Sequence, residues 1–208
     1  MSISYNRVAG WSVERLAALS NGLFAVAMTL LVLDLKTPAE EAVHSEHQLI
    51  AALAAMAPQL LVYAMSFLTL GIFWVGQQTQ LNHLERSDRS LSWIHLAFLC
   101  AVTILPFSTR LLAGFAGYRA ALLVYWSNIF LLGATLYLSW GCATRGGLVK
   151  SDMPPETAAA ICRRILIAQA LYAGGAALCV FHTGLSIGFL ILVQLNYAIA
   201  PHLPGKRG

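Results

Sequence analysis

An apolar run from Arg15 to Asp34 keeps polar groups at wide intervals: Arg15 at its start, then Ser20-Asn21-Gly22, and Thr29 deep inside. Polar groups cost stability in a membrane, so a spanning segment that retains them is a candidate functional site. Thr29 reads as the deepest polar side chain in any span, and it can neither carry a proton nor form a strong ion pair. No acidic residue falls at mid-membrane, and the first and fourth apolar segments share no polar pattern, which argues against a proton-coupled carrier. Two rival clusters are weaker. His44 and His47, with Glu40, Glu41 and Glu46 nearby, could offer two imidazoles to a metal, but no third ligand is fixed and the composition is that of a solvated linker. His83 and His95, with Glu85 and Asp88, could serve an intramembrane enzyme as acid and base. More simply, they satisfy one another at an interface. No nucleophile elbow, zinc-protease helix, phosphate loop or dinucleotide fingerprint occurs, so neither an enzyme nor a resident metal or cofactor is expected.

These residues must be positioned by membrane helices. The 208 residues are 58% hydrophobic and 11% charged, with a mean hydropathy of +0.69. Soluble domains carry about 25% charged residues. The net charge of +4 resides in short connections rather than in an aromatic-basic stripe, which argues against a nucleic-acid partner. Cys100, Cys142, Cys162 and Cys179 form no Cys-x-x-Cys pair and read as free thiols. No cleavable leader is evident, and insertion by the spans themselves is expected.

Windows of about 20 apolar residues place six spans near 15–35, 50–77, 90–113, 119–142, 158–181 and 184–203, in one domain covering 1–208. With the N-terminus inside, Arg7, Arg15, Arg86, Arg89, Arg145, Lys150, Arg163, Arg164, Lys206 and Arg207 are cytoplasmic. Only Lys36, Arg110 and Arg119 then lie outside. That bias sets both termini in the cytoplasm, and Trp74, Trp93 and Trp140 fall near the inner interface. Pro58 predicts a kinked or tilted second helix, and Pro106 a kink near the outer end of the third. Ser87 reads as an N-cap with Asp88 in the first turn. Ala170-x-x-x-Gly174 and Gly184-x-x-x-Gly188 present small faces suited to close packing.

On the first helix Val26, Thr29, Leu30 and Leu33 share one stripe, which Leu19 and Gly22 extend toward the cytoplasm. A stripe of this kind is ordinarily a packing seam. One helix cannot enclose a pore, so a pore would need several subunits repeating this face around an axis.

The pattern from Arg15 through Leu19-Ser20-Asn21-Gly22, Phe24-Ala25-Val26 and Thr29-Leu30-Leu31-Val32-Leu33 resembles the first helix of the transmembrane protein 175 family. Ser66-Phe67, Phe73-Trp74, Asp88, Leu91, Trp93 and Leu105-Pro106-Phe107 extend the resemblance through three spans. The last three match in number and length alone. The resemblance implies an all-α potassium channel of the cell membrane, with six helices per subunit and four subunits around their first helices. The permeant species would be monovalent cations, and the partners other copies of the chain and the bilayer. It also implies a constriction at Val26, with Leu30 and Leu33 beyond it and Thr29 as the pore threonine. Arg15, Ser20 and Asn21 would form a polar cluster locking the helix, supported by Trp74, Gln77, Trp93 and His95. Leu19 and Asn21 stand where the family has Phe and Asp, His95 where it usually has Asn, and Gln77 where it often has His. The alternative from another class is a non-conducting scaffold whose first helix is only an oligomer seam.

Overall fold

The computed structural model describes residues 12–199. Arg7, Lys206 and Arg207, and the predicted end of the last span, lie outside them. Among the described residues seven α-helices follow in order: α1 Val13–Leu33, α2 Glu46–Ala55, α3 Ala57–Asn82, α4 Arg89–Gly114, α5 Arg119–Arg145, α6 Pro155–Ala177 and α7 Thr183–Ile199. Short 3-10 turns at Glu40–Ala42 and Leu178–Val180 precede α2 and α7. By length and hydropathy α1, α3, α4, α5 and α6 can each cross a bilayer, while α7 is apolar but shorter. The molecule is a multi-pass membrane protein.

The start of the second predicted span is corrected. It is two helices rather than one bent rod, with the break at Met56 and Pro58 in the first turn of α3. A proline in that turn loses no intrahelical bond, whereas inside one continuous helix it would clash with the preceding turn. Pro106, by contrast, lies within an unbroken α4. There the Asn128 side chain of α5 donates to the Ala101 carbonyl at 3.0 Å, and Ser108 and Thr109 hydroxyls both return to Leu105 O. The N-cap of α4 is Asp88, not Ser87: Asp88 Oδ1 accepts from Leu91 N at 2.8 Å.

The core sits between α1, α3, α4 and α5, with Phe24, Leu31, Phe73, Phe98, Leu105, Tyr125 and Ile129 fully or almost fully buried. Phe24 of α1 meets Phe98 of α4 with ring centroids 6.0 Å apart. Trp140 is a core residue rather than part of an interfacial belt; its indole donates to Ala158 O at 3.1 Å. At the cytoplasmic end a two-residue antiparallel bridge joins the loops after α3 and α5, with Glu85 N on Leu148 O and Lys150 N on His83 O, both at 2.9 Å. Gly147, at φ 61°, turns the chain into that bridge. The small faces foreseen on α6 and α7 are not internal seams, because Ala170, Gly174, Gly184 and Gly188 are all exposed. The close approach is one residue away, at Gly175, where a Cβ would lie 2.8 Å from both Leu190 and Phe189.

Candidate functional site

α1 begins at Ser12, whose hydroxyl accepts from Arg15 N at 3.3 Å. Its buried residues are Leu16, Ser20, Phe24, Ala27 and Leu31, spaced by four, four, three and four, which is one face of an α-helix. The predicted stripe lies on the far side. Val26, Leu30 and Leu33 are 53%, 43% and 74% exposed, Gly22 and Thr29 are exposed, and Leu19 is half-buried. One subunit thus leaves the stripe uncovered from Gly22 to Leu33, with Leu19 half-covered by the core.

Thr29 donates its hydroxyl proton to Val26 O at 2.8 Å. The proton is spent on the helix, and the lone pairs of Oγ1 remain for an electropositive partner. That is the donor set a cation needs, placed one turn beyond Val26.

Behind the stripe, two polar clusters hold α1. The first is buried. Ser20 Oγ lies 2.8 Å from Leu16 O and 2.8 Å from His95 Nε2, and it accepts from Gln77 Nε2 at 2.7 Å. A hydroxyl carries one proton, so Leu16 O and His95 compete for it and the imidazole tautomer decides which receives it. The second cluster is exposed. Asn21 Oδ1 accepts from Trp74 Nε1 at 2.9 Å and from Gln78 Nε2 at 2.8 Å. Ser20 and Asn21 therefore face different partners, although they are adjacent in sequence, because consecutive helical residues point about 100° apart.

Arg15 and Trp93 do not join either cluster. Arg15 is five residues from Ser20, a rotation of about 140°; it falls on the exposed stripe, and its side chain has no partner among the described residues. Trp93 is two residues from the buried His95, and so on the other side of α4, 62% exposed.

Thr29 is exposed, and the most buried polar side chains lie elsewhere. A buried chain of hydroxyls links Thr109 to Ser66 at 2.8 Å, Ser66 to Tyr125 at 3.2 Å, and Tyr125 to Thr69 at 3.1 Å. Gln194 of α7 donates to Thr69 at 2.7 Å. Sequence reading passed over this network because hydroxyls in apolar helices ordinarily bond their own turn. The signal was Ser66 and Thr69 on one face of α3, with Tyr125 and Gln194 as large polar groups in neighbouring apolar segments.

A family model described as endosomal/lysosomal potassium channel TMEM175 matches residues 15–106. A potassium channel of Chamaesiphon minutus is 30% identical over 190 residues, covering 89% of this chain and 93% of its own. A potassium channel of Streptomyces collinus is 33% identical over 137 residues, 64% of this chain and 65% of that protein. Among solved structures, a lysosomal potassium-selective channel TMEM175 homolog from Chamaesiphon minutus aligns with a TM-score of 0.78 at 26% identity, covering 90% of this chain and 97% of that one.

Proposed function

This chain belongs to the TMEM175 family, and on that premise we propose that it forms a potassium-preferring monovalent cation channel, four copies enclosing a pore along α1. The observation that carries the reading is the division of α1: one face is locked by Ser20, Phe24 and Asn21, and the Val26–Leu33 stripe is left uncovered with Thr29 on it. A lipid-facing stripe has no use for an oxygen donor. A ring of four such stripes does.

In the ring, Val26 is the apolar constriction that wets or dewets, and Leu30 and Leu33 line the path beyond it. Four Thr29 oxygens replace part of the hydration shell and favour potassium, which gives up its water more readily than sodium. Glu40, Glu41 and Glu46 concentrate cations at the outer mouth, an effect that salt weakens. Asp34 shares its charge with Arg110 at 3.6 Å and contributes less.

Liposome flux with opposed potassium and sodium gradients tests this. Val26→Ala widens the constriction, so cation flux rises and discrimination falls; unchanged flux in folded protein removes Val26 from the path. Thr29→Val keeps the shape and deletes the oxygen, so the potassium-to-sodium ratio falls while flux persists. A ratio equal to wild type would sink the threonine mechanism and leave the pore standing.

A further inference from the structure

On the side of α3 turned away from α1, a groove opens between α3, α5, α6 and α7. Its apolar walls are Ile72, Phe73, Val75, Leu136, Ile161 and Ile165. Val75 is exposed and Ile161 and Ile165 are half-buried, so the groove faces the bilayer. Along α6 it runs from Ile161 to Tyr172, about 16 Å of helix rise. One leaflet's share of the hydrocarbon core is roughly 15 Å, so the groove has the length of one acyl chain.

Its cytoplasmic end carries a cation. Arg164 lines the groove, and its guanidinium lies over the Tyr197 ring at 5.7 Å from the centroid. The ring contact is electrostatic and supplies no carboxylate, so the guanidinium keeps its donor set for an anion. Arg164 has no carboxylate partner among the described residues. Arg163, also exposed, doubles the local positive charge. An arginine at the inner end of a span, beside an apolar furrow and short of an anion, fits a phosphate group bidentately.

We propose that this groove binds an anionic phospholipid of the cytoplasmic leaflet, one acyl chain along α6 and the headgroup phosphate on Arg164. The net charge of the arginine pair selects against headgroups that carry their own cation. The site backs onto Phe73–Gln80 of α3, the stretch whose other side holds Ser20 and Asn21 through Trp74, Gln77 and Gln78.

The test is native mass spectrometry of the full chain, purified in mild detergent with equal palmitoyl-oleoyl phosphatidylglycerol and phosphatidylcholine. Wild type should retain phosphatidylglycerol over phosphatidylcholine by about fivefold. Arg164→Gln should abolish the preference and Arg164→Lys should keep most of it. Gly76→Leu grows into the groove, since a Cβ there meets only Leu136 at 3.6 Å, and should lower retention of both lipids. Equal retention in wild type overturns the proposal, as does an unchanged preference in Arg164→Gln. Displacement by excess glycerol phosphate would also overturn it, showing an anion site with no lipid selectivity. Should Arg164→Gln fail to fold, the wild-type competition and Gly76→Leu decide.

Discussion

Asn21 shows how a single side chain keeps its place after losing a charge. The family resemblance calls for an aspartate there, yet Oδ1 of Asn21 accepts from both Trp74 and Gln78, so an uncharged oxygen suffices for the lock. The charge of Arg15 is accordingly not needed at the lock and lies on the exposed stripe. Ser20 tells a parallel story. The resemblance leads one to expect an imidazole on α3 and a carboxamide on α4; here Gln77 and His95 exchange those types, and both still reach the same hydroxyl. Asn21→Leu removes an acceptor from two N–H donors. At about 0.6 kcal/mol per interhelical bond in a membrane it should cost about 1 kcal/mol, visible as a Tm lower by a few degrees, whereas Asn21→Asp should hold its Tm. Equal Tm values for the leucine and aspartate variants would show that the bonds to Asn21 do not hold α1.

Residue types alone pointed to Ser20 and Asn21 but not to the separation of Arg15 from them. That separation depends on which face of α1 meets α3 and α4, and an apolar stripe looks alike whether it packs or stands free. The elements were legible where composition was extreme: the apolar runs placed α1, α4 and α5 closely. Pro58 was legible as a disturbance but not in kind, because a helix can stop at a proline or absorb it, as the continuous α4 does with Pro106. The small faces are a similar case, since spacing reveals a small residue but not what opposes it. Gly174 and Gly175 separate these cases. Gly175→Leu forces Leu190 and Phe189 aside and should cost about 1–3 kcal/mol as overpacking, lowering Tm. Gly174→Ala meets nothing within 4 Å and should hold or slightly raise it, since alanine favours the helix. If the two variants melted alike, the packing of α6 on α7 would not run through Gly175.

At the scale of the whole molecule, a subunit that buries one face of α1 and leaves the other bare is half of a structure. In the channel proposed above, closed symmetry would supply the rest, with four bare faces meeting on an axis to cover one another's apolar rims and enclose Thr29. The most direct measurement is on Thr29→Cys in a background where Cys100, Cys142, Cys162 and Cys179 are replaced, reconstituted in liposomes and treated with a water-soluble, charged thiol reagent. If α1 lines a water-filled path, the reagent reaches position 29 and potassium flux collapses, while the cysteine-free parent is unaffected. If position 29 faces lipid or a dry seam, the thiol stays unmodified and flux is unchanged, and the pore does not run along α1.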